Sequence, residues 1–137
     1  MTKPILCCIN GSAHSRRAVE VAVQMAADSE RGLSFLLVNH VRPASGYPSI
    51  RTWTDHEAKE VLDVAARYAS SHGAKEVKRI LFESEDVAAA ILECAEKIDT
   101  DHIVVGTGNP PFIGRMLLGS VSETVIARAK CSVTVAR

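Results

Sequence analysis

The sequence predicts an α/β fold: a three-layer, open, parallel five-stranded sheet with four helices distributed over both faces. Three observations predict it. Short apolar runs alternate with longer amphipathic ones along the whole chain, the pattern of successive βα units. The first run, Ile5–Ile9, is apolar at every position, as expected of a strand covered by helices on both faces. Turn-forming residues follow the runs, beginning with Asn10-Gly11-Ser12.

The elements follow in order. Ser15–Ala27 places Val19, Ala22, Val23 and Ala26 on one stripe at helical spacing, with Gly32 as the stop. Leu33–Val41, rich in apolar and β-branched residues, is the second strand. Arg42–Trp53 holds Pro43, Gly46 and Pro48 and is predicted as a loop. Thr54 and Glu57 form a capping box that opens a helix running to Ser71, closed by Gly73. Val77–Phe82 is the third strand, and Ser84 is the expected cap of the helix that carries Val87, Ile91, Ala95 and Ile98. His102–Val105 is the fourth strand. Ser120 and Glu123 form a second capping box, opening a helix to about Ala129, and Ser132–Ala136 is the last strand.

With 137 residues, the chain suits one domain over 1–137. Sixteen basic residues balance sixteen acidic ones, which argues against a nucleic-acid partner, since such proteins carry a basic face. Cys7, Cys8, Cys94 and Cys131 form no C-x-x-C pair and read as free buried thiols rather than a disulfide framework or zinc site. The N-terminus lacks the apolar stretch of a signal peptide, and no run approaches a membrane span. A cytoplasmic protein without a membrane partner is expected.

In open parallel sheets, ligands bind beyond the carboxyl ends of the strands where the strand order reverses. Two strand ends carry special loops. One is Asn10-Gly11-Ser12; the other is the thirteen-residue stretch Thr107–Gly119, long for a βα connection. Gly106, Gly108, Gly114 and Gly119 permit close backbone approach, Arg115 is the one full positive charge, and Gly119-Ser120 leads into a helix. A helix N-terminus offers unpaired N–H groups and partial positive charge, which suits phosphate, with Ser120 and Ser122 adding hydroxyls. Read structurally instead, the glycines only turn the chain and Ser120 only caps its helix.

Two familiar phosphate motifs fail. Gly114 and Gly119 have P-loop spacing, but Ser120-Val121 stands where Lys and Ser or Thr are required. Gly106-x-Gly108 is followed by Pro111 where a dinucleotide fingerprint needs its third glycine. The five histidines show no ligand spacing, Asn10 and Glu83 do not supply the acids of a phosphoacceptor site, and no nucleophile–base pair stands out, so at most a weak ATPase is expected.

The stretch Val104-Val105-Gly106-Thr107-Gly108-Asn109 through Leu117-Leu118-Gly119-Ser120-Val121 resembles the signature of the universal stress protein family, in which Gly, two residues, Gly and nine residues precede Gly-Ser. Ile5–Ser12, Asn39-His40-Val41 and Cys131–Val135 resemble that family's first, second and last strands, so the resemblance covers essentially the whole chain. It implies strand order 3-2-1-4-5, as in adenine nucleotide α-hydrolase-like folds, and a homodimeric stress-response regulator pairing through the last strand. It also implies adenine nucleotide, ATP or AMP, as ligand. By position the base would lie near Cys8, Ile9, Asn10 and Val41, and the phosphates near Gly106, Gly108, Asn109, Gly119, Ser120, Val121 and Ser122; Arg115, as the loop's positive charge, joins the candidate set from the residues alone. Asn109 departs from the second signature glycine, and Asn10 from the usual aspartate; an amide is a poor ligand for a hard cation, so a divalent metal is not expected. The alternative reading is a dimeric interaction module of the same fold that binds no nucleotide.

Overall fold

The computed structural model describes residues 2–107 and 120–137. In chain order the elements are β1 (Ile5–Ile9), α1 (Ala13–Ser29), β2 (Leu33–Ala44), β3 (Tyr47–Arg51), α2 (Asp55–Ser71), β4 (Val77–Ser84), α3 (Val87–Lys97), β5 (His102–Gly106), α4 (Ser120–Arg128) and β6 (Ser132–Ala136). Five of these strands lie parallel, in the order β4-β2-β1-β5-β6. That is the predicted 3-2-1-4-5 once the additional strand β3 is set aside.

The period-2 alternation of a strand assigns each run to two cores. From β1 and β2, Ile5, Cys7, Ile9, Leu33, Phe35 and Leu37 face α1 and α2. Leu6, Leu36 and Val38, with Ile103 and Val105 of β5, face α3 and α4. Cys7 and Cys8 therefore point to opposite faces, as the sequence predicts. Leu6, Phe35, Leu37, Ile103 and Val104 are fully buried; each such aliphatic or aromatic side chain contributes about 1.5–3 kcal/mol relative to exposure.

Three sequence expectations are corrected. The Arg42–Trp53 segment is not a plain loop. Strand β2 runs on to Ala44 and folds back antiparallel as β3, with Val41 opposite Arg51 and Ala44 opposite Tyr47. Gly46, at φ 75°, makes the tight turn that an L side chain resists. The register shifts between Arg42 and Ala44, where Pro43 has no N–H to give the ladder. Secondly, α1 ends not at Gly32 but at Glu30, which takes the left-handed conformation itself at φ 55°. Thirdly, the cap of α3 is Asp86, whose side chain accepts from the Ala89 N–H; Ser84 instead braces Asp86 by exchanging hydrogen bonds with its backbone.

The Thr54–Glu57 capping box is present in both directions, 3.1 and 3.0 Å. The N–H of Thr54 holds the Glu57 carboxyl below its usual range. Ser120 stands inside α4 as its first described residue, not ahead of it.

Candidate functional site between the ends of β1 and β5

The chain winds outward from β1 through β2 to β4, then crosses back to β5 and β6, so the strand order reverses between β1 and β5. That is where a cleft opens in a doubly wound sheet. Here it is about 100 Å³, and three elements wall it.

The first wall is the β1–α1 turn. Leaving β1 at Ile9, the chain makes an Asx turn: the Ser12 N–H donates to Asn10 Oδ1 at 3.0 Å. Gly11 follows at φ 79°, and a Cβ there would stand 3.1 Å from the Trp53 ring, so glycine is favoured both by the backbone and by the close approach. Ser12 then caps α1, accepting from the Ser15 N–H, while the Ser15 hydroxyl donates to the Ser12 carbonyl. No acid occupies the first turn of α1.

The second wall is the end of β5 and the start of α4. Buried Ser122 donates its hydroxyl to the Gly106 carbonyl at 2.7 Å, tying helix to strand. Val121 lies beside it. The third wall is apolar: Val87 and Ile91 of α3, with Cys8 and Val105 beneath. Burial pushes the Cys8 thiol well above its ordinary range, so it is a neutral, apolar wall and not a nucleophile.

Two helix N-termini, those of α1 and α4, thus face one cleft whose described lining contains no carboxylate. Their partial positive charges add, and an anion is the ligand that complements them. A larger concavity of about 410 Å³ lies between α1 and α2, walled mainly by Val19, Val61, Ala65 and Tyr68. It is the roomier space and holds Ser12, Ser15 and Arg16, but the carboxylates of Glu20 and Glu60 also line it, whereas the smaller cleft has none in its described lining, so the smaller cleft is the better candidate for phosphate.

Of the residues the sequence singles out, Cys8, Ile9, Asn10, Gly106, Val121 and Ser122 come together around the cleft. Ser120 opens α4 and is exposed. Val41 lies on β2 opposite Arg51 of the antiparallel ribbon and is not among the residues that line this cleft. Gly108, Asn109, Arg115 and Gly119 lie outside the described residues. The Ser122 hydroxyl proton is already committed to Gly106, which leaves that residue's backbone N–H as its donor to a ligand.

Sequence reasoning passes over Asn39, whose signal is an amide within a continuous apolar strand. It is fully buried. Its Nδ2 donates to the Trp53 carbonyl at 2.8 Å, and its Oδ1 accepts from the Trp53 N–H at 3.0 Å. This pair fixes Trp53 over Gly11, beside the first wall of the cleft.

Comparison with known proteins agrees with this geometry. The family model described as "Universal stress protein family" matches residues 1–137. The universal stress protein MJ0531 of Methanocaldococcus jannaschii is 33% identical over 142 residues, covering 98% of this chain and 82% of that protein. A universal stress protein solved in complex with cAMP superposes with a TM-score of 0.79 at 26% identity, covering 99% of this chain and 97% of that one. The Archaeoglobus fulgidus universal stress protein solved in complex with dAMP shares the fold at a TM-score of 0.69 and 22% identity, covering 100% and 98%. With the family model matching residues 1–137 and a relative 33% identical covering 98% of this chain, the chain belongs to the universal stress protein family.

Proposed function

We propose that this chain, acting as one domain over residues 1–137, binds an adenine nucleotide, AMP or ATP, in the cleft between β1 and β5. We further propose that it works as a cytoplasmic, homodimeric regulator of the stress response rather than as an enzyme. The observation that carries the nucleotide reading is the convergence of the α1 and α4 N-termini on one cleft with an apolar third wall. The apolar wall suits a base and the helix ends suit a phosphate. The relative solved with cAMP, at 26% identity, supports the ligand class. Phosphate would be held by the backbone N–H groups of Val121 and Ser122 and by Gly108, Asn109, Arg115, Gly119 and Ser120, with Cys8, Ile9 and Asn10 toward the base.

The dimer reading rests on β6. Among the described residues it pairs only with β5, so its outer edge is open to a second copy. The cysteines are free thiols, which accords with a reducing compartment. No helix among the described residues is long and apolar enough to cross a membrane. No partner nucleic acid or membrane surface is proposed.

One observation favours the alternative, an interaction module without nucleotide. The described cleft, about 100 Å³, is smaller than the roughly 300 Å³ at which sites for drug-sized ligands begin. Calorimetric titration with AMP, ADP and ATP separates the two. Saturable heat with at least one of them supports the nucleotide reading; none at millimolar ligand leaves the interaction module.

A further inference from the structure

Nucleoside triphosphates are usually handled with magnesium, which is held by one or two protein carboxylates together with the phosphates. The donor set of this cleft does not fit that ion. No Asp or Glu lines the described cleft. The stretch 108–119 contains neither residue. Of the acids nearest in sequence, Asp86 caps α3, and Glu85 and Glu123 are exposed and outside the lining. Among the described residues no group of three or more His, Cys, Asp or Glu is placed to hold a metal.

Asn10 stands at the decisive position, and its orientation is fixed by chemistry. A backbone N–H can only donate, so the side-chain atom facing the Ser12 N–H must be the amide oxygen. One lone pair of that oxygen is thereby used, and no carboxylate of the described lining stands beside it to complete a metal site. The other end of the amide is Nδ2, with two N–H donors and no partner among the described residues, on an exposed side chain at the rim of the cleft. An amide nitrogen does not ligate a hard cation, but it does donate to phosphate, hydroxyl or ring-nitrogen acceptors.

We infer that Asn10 makes this cleft a metal-free site, one that takes a nucleoside monophosphate as the bare anion in preference to the magnesium complex of a triphosphate. This rests on the nucleotide reading above and names the form of the ligand. Two helix ends and the Asn10 donors supply the positive complement, and a magnesium ion brought in on a triphosphate would meet these and an apolar wall, with no carboxylate in the described lining. Binding is therefore weakened, not strengthened, by magnesium.

The test is calorimetry on the full chain with AMP and with ATP, each in EDTA and in millimolar magnesium chloride, for the natural sequence and for Asn10→Asp. The replacement keeps an oxygen for the Ser12 N–H, so the turn survives, and thermal melting checks that it does. For the natural chain, AMP affinity changes by less than about twofold with magnesium, whereas ATP loses about fivefold or more. In Asn10→Asp, AMP binding in EDTA falls about tenfold or more, because a hydrogen-bond donor is lost and a negative charge is added to a cleft that holds an anion. The variant's ATP binding is then strengthened by magnesium. If magnesium strengthens ATP binding to the natural chain, or if Asn10→Asp leaves the magnesium response unchanged, the inference is overturned while the nucleotide reading stands. Absence of heat with both nucleotides under both conditions overturns the two together.

Discussion

Asn39 and Trp53 exchange two hydrogen bonds, side-chain amide to backbone N–H and backbone carbonyl, at 3.0 and 2.8 Å. A strand-end side chain thereby imitates a ladder partner for the segment that enters α2. It holds Trp53 where its ring meets Gly11. Replacing Asn39 by Ala leaves the Trp53 groups unpaired, and the expected loss is about 1–3 kcal/mol of stability. Urea denaturation measures it. Because Trp53 is the only tryptophan, its emission moves to longer wavelength in the folded variant as the ring becomes wetter.

Gly11→Ala tests the same junction from the other side. The left-handed backbone at φ 79° costs an L residue about 1–2 kcal/mol, and the new methyl stands 3.1 Å from the indole. Expected outcomes are a lower denaturation midpoint and a changed Trp53 spectrum. A variant as stable as the natural chain contradicts the described turn.

Thr54→Ala removes the cap of α2 and one half of its capping box. A loss of about 0.5–2 kcal/mol is expected, without effect on nucleotide affinity, since the box lies outside the cleft. Chemical denaturation and calorimetry on one preparation check both halves of this statement.

Ser122→Ala deletes the hydroxyl that ties α4 to β5. The Gly106 carbonyl loses a buried partner, and stability falls by about 1–2 kcal/mol. Nucleotide affinity falls less than the loss of a direct phosphate contact would produce, because the hydroxyl donates to the protein and not to the cleft.

Burial raises the Cys94 thiol from 9.0 to about 11 and raises Cys7 further still. Above about pH 9 the unfolded thiols ionise while the folded ones keep their protons, so the native state binds more protons and stability falls as pH rises. The expected melting temperature is insensitive to these thiols below pH 9 and declines between pH 9 and 11. Cys94→Val removes part of that decline. A slope unchanged by the substitution shows that other groups cause it.

The parallel sheet was legible in the sequence because continuous apolar runs and helical stripes are period signals that burial itself imposes. Ile5–Ile9 and Ser132–Ala136 match their strands to the residue for this reason. What failed was punctuation. Pro43, Gly46 and Pro48 signal a loop, yet the same residues suit a bulged edge ribbon, and only the tertiary pairing of Val41 with Arg51 distinguishes the two. Ser84 and Asp86 are both good caps, and their mutual hydrogen bonds, which no pattern encodes, decide between them. The cleft was legible as two strand ends. The direction in which the Asn10 and Ser122 side chains spend their hydrogen bonds was not, because donor and acceptor assignments depend on neighbours brought together by folding.

A crystal structure of the full chain grown with AMP tests the central claim most directly. The account predicts density for the nucleotide between the Asn10 turn and the start of α4, its phosphate within hydrogen-bond reach of the Val121 and Ser122 backbone amides and no metal beside it. Nucleotide bound in the α1–α2 concavity, or a phosphate turned away from both helix ends, would contradict it.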